Sequence, residues 1–269
     1  MSPDQARPLV IAHRGASADL AEHTFGAYEK AIADGADGLE CDVRLTADGH
    51  LVCVHDRTVD RTSDGKGVVS TLELAQLRDL DFASWKSGEQ TGEGVDVVDM
   101  EERSVLTLET LLELVRSYDR PLVLAIETKH PTRYADWVEQ RTIEVLEQFG
   151  LARPRLGEAT SVRLMSFSAF ALRRFGRLAP DLPRVALMER VPVRFRDGSL
   201  PPGVQISGPS IDIIRQHPRY PERVREHGRR VFCWTVDEPA DVDRCLEAQV
   251  DAIITNRPRS VLDHLDASA

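Results

Sequence analysis

Four short runs in the sequence carry side chains suited to acid–base and metal chemistry: His13-Arg14-Gly15, Glu40-Cys41-Asp42, His55-Asp56 and Glu127-Thr128-Lys129. Each ends an apolar run or lies beside one. In an extended chain a spacing of two puts Glu40 and Asp42 on one face, and Glu127 and Lys129 likewise. Three converging carboxylates repel unless they are neutralised, and a hard divalent cation that seeks oxygen, Mg²⁺ or Ca²⁺, resolves the repulsion economically. Imidazole has an ordinary pKa of about 6.5, so His13 and His55 can take or give a proton near neutrality. The planar fork of Arg14 suits a phosphoryl oxygen, and Lys129 offers a point charge. Trp234 can wall the pocket against an alcohol group. Together these side chains point to cleavage of a phosphate ester held beside a metal ion.

Each of them also has a purely structural reading. A lone His13 would be a satisfied core histidine, a lone Arg14 a surface ion-pair partner, and Trp234 a core side chain. Glu127 and Lys129 could simply pair with each other, and Glu40 and Asp42 could face solvent. The flanking Leu39, Cys41 and Val43 argue against the last, because they imply that both faces of the strand are covered. His13, followed by Arg-Gly and matched by His55-Asp56, favours catalysis over packing.

The elements that would position these groups alternate between short apolar runs and amphipathic stretches, the pattern of βα units around a parallel sheet. Parallel strands are predicted at 9–13, 38–43, 122–127, 163–167, 184–188, 204–207, 230–236 and 252–255, and helices at 21–33, 107–118, 134–149, 169–178, 221–227 and 240–248. Eight strands favour an α/β fold of the (β/α)8 TIM-type barrel, whose active sites lie at the carboxyl ends of the strands. The link from Thr46 to His50 is too short for a parallel crossover. It therefore predicts a hairpin, which returns His55 to the level of Glu40 and Asp42. Its register, and so the face His55 takes, is left open by the sequence. Residues 57–104 show no barrel strand and read as a small insertion at one rim, with a glycine-rich, charged stretch at 84–102.

Of the 269 residues, 42% are hydrophobic and 29% charged, which is ample for one sizeable core, and one domain spanning 1–269 is expected. A formal net charge of -10 and a pI near 5.3 disfavour nucleic acid and stable association with anionic membranes as partners. The polar start of the chain and the lack of an apolar run long enough to span a bilayer make the cytoplasm the expected location. Cys41, Cys53, Cys233 and Cys245 fit no zinc spacing and are expected to be buried free thiols. Oligomeric state is not legible in the sequence.

The run HRGASADLAEHTFGAYEKAIADGADGLECDVRLTADGHLVCVHDRTVDRTSDGKGVV resembles the glycerophosphodiester phosphodiesterase signature, with its H-R-G start, E-x-D pair and H-D second histidine. Further matches follow in LVLAIETK, LMSFSAFALRRFGRLAPDLPRVALM, VFCWTVDEPADVDRCL and VDAIITNRP, so the resemblance spans residues 9–258. It implies a barrel with an insertion after His55 and hydrolysis of small glycerophosphodiesters to sn-glycerol 3-phosphate and an alcohol. It implies Glu40, Asp42 and Glu127 as ligands of one divalent cation, His13 and His55 as acid and base, Arg14 and Lys129 as phosphate binders, and Glu22 within the pocket. Where the family usually shows Glu-Asn-Thr, this chain has Glu22-His23-Thr24, a departure that bears on substrate contacts or metal geometry. Two alternatives remain: a phospholipase D acting on lysophospholipids or sphingomyelin, and a non-catalytic barrel that binds phosphate esters.

Overall fold

The computed structural model describes residues 7–87, 103–134, 136–153 and 160–268. Among them, eight parallel strands close into a barrel: β1 (Leu9–His13), β2 (Gly38–Leu45), β4 (Leu122–Thr128), β5 (Thr160–Ser166), β6 (Arg184–Met188), β7 (Ile206–Pro209), β8 (Arg230–Cys233) and β9 (Ala252–Thr255). The pairing of β1 with both β2 and β9 closes the ring. β3 (Leu51–Cys53) runs antiparallel along β2, with Val43 opposite Cys53 and Leu45 opposite Leu51, so the predicted hairpin is present. The Val54 amide donates to the Asp42 carbonyl, which brings His55 back to the level of Glu40 and Asp42 as expected.

One side of every strand packs outward, and its buried side chains meet the helices Phe25–Ala33, Leu108–Arg116, Trp137–Gln148, Ala169–Leu178, Pro239–Glu247 and Pro258–Ala267. The other side fills the barrel interior with Ile11, Ala125, Met165, Val185, Phe232 and Ile254, among others. Period-two alternation carries each interior row upward to the mouth. The row through Ile11 reaches His13, that through Ala125 reaches Glu127 and Lys129, that through Phe232 reaches Trp234, and that through Ile254 reaches Asn256. The barrel floor is thus apolar and its carboxyl-end rim polar, which explains why polar residues end these apolar runs. Gly38 sits where a Cβ would come within 2.4 Å of the Val123 carbonyl oxygen, so only glycine lets β2 and β4 approach.

Several expected boundaries shift. The helix expected at 21–33 starts only at Phe25, because Thr24 is its N-cap and accepts from the Ala27 amide. Residues 21–24 form a loop in which His23 has a φ of +62°. The helices Ile211–Gln216 and Pro258–Ala267 were not anticipated, and between β6 and β7 the described chain holds only a 3₁₀ turn, Val193–Phe195. In the insertion, the turn Val69–Thr71 and the helices Leu74–Arg78 and Ser84–Ser87 cover a small core of Val52, Val54, Val59, Leu77 and Phe82 laid on β3. Most of the expected 84–102 stretch lies outside the described residues. The four cysteines are buried free thiols. No helix among the described residues is long and apolar enough to cross a membrane.

Candidate active site

Strand register assembles the carboxylates. His13 is level with Glu40 across β1 and β2, and Asp42 is level with Glu127 across β2 and β4. Neighbouring strands lie about 4.8 Å apart, so side chains at one level and on one face must meet. Oxygens of Glu40, Asp42 and Glu127 all lie within 4.8 Å of one another, and all three residues are buried. Two ligand oxygens on opposite sides of a cation bound at about 2.4 Å can be no more than about 5 Å apart, so the cluster fits a hard divalent ion. An orphaned atom supports the fit. Lys129 Nζ lies 2.9 Å from Asp42 Oδ1 but off the direction of a hydrogen bond, and that buried oxygen has no hydrogen-bond partner among the described residues.

The carboxylates carry their charge unequally. Burial, and then Asp42, push Glu40 well above the usual carboxylate range. The same two causes raise Glu127 to about 8 against the opposing pull of Lys129. Burial also works to raise Asp42, but Lys129, His23 and Arg14 outweigh it and hold this carboxylate well below its ordinary value. Lys129 Nζ also pairs with Glu127 Oε2 at 2.8 Å. Arg14 Nε is 3.0 Å from Asp42 Oδ2, and the Arg14 amide donates to Glu40 Oε2 at 3.1 Å. Arg14 takes a φ of +61° to make these contacts, and next to it Gly15, at +84°, leaves no room for a Cβ, which would fall 2.6 Å from the Ala27 backbone.

The two histidines stand in different surroundings. His13 Nδ1 lies 2.7 Å from Asn256 Oδ1, an oxygen that can only accept, so Nδ1 carries the proton and Nε2 is left basic. Asp237 fixes the Asn256 amide by accepting from its Nδ2 at 2.7 Å and from its backbone N–H at 2.8 Å. Burial, and then Arg14, lower His13 to about 4. His55 Nδ1 instead donates to the Asp56 carboxylate at 2.7 Å. Burial lowers His55 too, and with Lys129 and Arg14 it outweighs the upward pull of Asp42 and Asp56. The Arg44 guanidinium holds the His55 carbonyl with two donors, at 3.0 and 2.7 Å.

His13, His55, Glu40 and Glu127 line one cavity of about 150 Å³, together with Arg14 and Lys129. Trp234 forms its far wall, with Nε1 donating to the Gly208 carbonyl at 2.7 Å, and Phe167 meets the indole edge-on at 5.4 Å. Of the side chains singled out in the sequence, Glu22 does not line this cavity. Its carboxylate is engaged by Arg14 at 3.0 Å and by Arg61 through two bonds of 2.8 Å. Burial works against ionisation of Glu22, but the Arg61 hydrogen bonds lower it to about 2. His23, the departure from the usual Asn, is buried with Nε2 3.0 Å from Asp42 Oδ2 and Nδ1 2.7 Å from the Tyr28 hydroxyl. Burial favours the neutral form of His23, and the Tyr28 hydroxyl beside it donates to the Glu40 carbonyl at 3.1 Å. Sequence reasoning missed Asn256, Asp237, Arg61 and Phe167. The Asn256 signal was present, because that residue ends the last apolar strand as His13 ends the first.

A closed parallel barrel with three carboxylates and two imidazoles at its carboxyl end defines the class: a barrel hydrolase with a site fit for a divalent metal. The sequence profile of the Glycerophosphoryl diester phosphodiesterase family matches residues 13–260, and the chain belongs to that family. A Mycobacterium tuberculosis protein named "Probable glycerophosphodiester phosphodiesterase 1" is 45% identical over 93% of this chain and 90% of its own length. The glycerophosphodiester phosphodiesterase of Caldanaerobacter subterraneus is 32% identical over 96% of this chain and 97% of its own. In fold, the chain is similar to an Oleispira antarctica phosphodiesterase solved with its product sn-glycerol-3-phosphate, with a TM-score of 0.80 and 24% identity over 96% of this chain and 97% of that one.

Proposed function

We propose that this chain hydrolyses glycerophosphodiesters, such as glycerophosphocholine or glycerophosphoethanolamine, to sn-glycerol 3-phosphate and an alcohol. The observation that carries the reading is one cavity lined by both imidazoles and backed by the three-carboxylate cluster. Membership of the family supports it. Glu40, Asp42 and Glu127 would hold one divalent cation, Mg²⁺ or Ca²⁺, which supplies Lewis-acid polarisation of the phosphoryl oxygens. Arg14 and Lys129 bind and orient the phosphate. Glu22 acts through Arg14 by fixing its guanidinium, and Trp234 flanks the alcohol or glycerol arm.

His13, neutral and basic at Nε2, removes the proton from the attacking hydroxyl. His55, whose imidazolium form the Asp56 carboxylate favours, returns a proton to the departing oxygen as the phosphorus–oxygen bond breaks. The attacking oxygen belongs either to water or to the adjacent glycerol hydroxyl, and incorporation from ¹⁸O-labelled water with a search for a cyclic phosphate separates the two. The buried unpaired thiols suit a reducing compartment, so we assign the cytoplasm. We also assign residues 1–269 to one catalytic domain, with 57–104 as its insertion.

The test is release of sn-glycerol 3-phosphate from glycerophosphocholine, which should vanish with chelator and return with Mg²⁺ or Ca²⁺. No release with any divalent ion would sink the reading. A second reading, cleavage of lysophospholipids, draws on exposed Phe167, Phe170 and Val193 in segments that follow β5 and β6 at the barrel mouth. Faster turnover of lysophosphatidylcholine than of glycerophosphocholine would favour it.

A further inference from the structure

Beside the catalytic cavity lies a second cleft, of about 470 Å³, and Lys129 lines both. One wall comes from the insertion, with Arg57 and Val68–Thr71, and the other from the segment after β4, with Arg133 and Tyr134. Arg44 lines it as well. The two walls are tied where the Tyr134 hydroxyl donates to the Ser70 carbonyl at 2.9 Å. Among the described residues no carboxylate lines this cleft, and none pairs with Arg44, Arg57 or Arg133. Arg44 is held in place by its two bonds to the His55 carbonyl, and Arg133 by its contact with the Tyr134 ring, 5.5 Å from the centroid.

In a chain of net charge -10, Arg44, Arg57 and Arg133 gather around one concave site with no carboxylate of the described residues in its lining. Their mutual repulsion is relieved by an anion, and arginine forks fit the oxygens of a phosphate. The place is also set by the catalytic geometry. A phosphodiester held against Lys129 can extend one ester arm into this cleft, whose volume lies within the usual range for a small-molecule site.

We propose that this cleft is a second anion subsite, so that the preferred substrates are glycerophosphodiesters whose alcohol carries a further phosphate group. This rests on the diesterase reading above and narrows its substrate class. Arg57 and Arg133 are exposed and belong to different walls, so they can be changed together without emptying a core.

The experiment compares glycerophosphoinositol with glycerophosphoinositol 4-phosphate, which differ by one phosphomonoester, in the wild type and in the Arg57→Ala/Arg133→Ala double variant. Charge-assisted contacts from two arginines should lower the wild-type KM for the phosphorylated substrate by about tenfold or more, with kcat within about twofold. The double variant should lose that difference while its KM for glycerophosphoinositol stays within about twofold, and Arg57→Lys/Arg133→Lys should retain part of it. Equal KM values in the wild type, or a preference that survives in the double variant, would overturn the subsite and leave the diesterase reading standing. No hydrolysis of either substrate, or of glycerophosphocholine, would overturn both.

Discussion

Both histidines line the catalytic cavity, and they differ in what stands behind them. An amide oxygen behind His13 accepts one proton and confers no charge, whereas a carboxylate behind His55 stabilises the cation. If each imidazole moves a proton in the rate-limiting step, His13→Gln and His55→Gln should each lower kcat by about 10²- to 10⁴-fold. Bound metal, measured by elemental analysis, should stay at wild-type stoichiometry, and a loss of metal in step with activity would place the histidine among the ligands instead. Glu127 yields a second expectation. With its pKa raised to about 8 in the metal-free cage, it holds a proton at neutral pH that an arriving cation must displace. Metal affinity, followed by titration calorimetry, should therefore climb by at least about tenfold per pH unit between about pH 6 and pH 8. An affinity flat over that interval would mean that Glu127 is already ionised or is not a ligand.

At the scale of the elements, the site is a consequence of register. β2 must lie close enough to β4 to bring Asp42 level with Glu127, and Gly38 permits that approach. Gly38→Ala forces a methyl group against the Val123 carbonyl and should cost about 1–3 kcal/mol in urea-induced unfolding, as overpacking does. Binding of metal should weaken with it, because the strands that carry the ligands are pushed apart. A variant as stable as the wild type would show that the barrel floor can yield there. All eight barrel strands were legible in the sequence, since each apolar run is short, bounded and buried on both faces. The convergence of the three carboxylates was legible too, because Glu40 and Asp42 share a face by spacing alone and Glu127 ends another apolar run. What local spacing does not encode is pairing between distant elements. The partner of His13 lies 243 residues away at Asn256, and only closure of β9 onto β1 brings them together. The same limit hid the loop at 21–24, where Thr24 caps the helix late and turns Glu22 toward Arg14 and Arg61.

For the molecule as a whole, closure of the barrel concentrates like charges at one point of the rim, and that concentration links metal binding to global stability. The metal-free protein limits the repulsion by protonating Glu40, whose pKa burial and Asp42 raise well above the ordinary value. A cation at about 100 times its Kd should then stabilise the fold by about 2.7 kcal/mol. For a domain of this size that corresponds to roughly 5–10 °C in Tm. Glu40→Gln separates this effect from packing, because glutamine matches the shape of the protonated carboxyl and can still accept from the Arg14 amide. In scanning fluorimetry with chelator, the variant should melt within a few degrees of the chelated wild type, a change of under about 1 kcal/mol. With saturating divalent ion it should lose most of the upward shift, because one of the three ligand charges is gone. A variant that still rises fully with metal would remove Glu40 from the cage. One that melts far below the chelated wild type would mean that Glu40 is ionised in the metal-free fold and anchors it through Arg14.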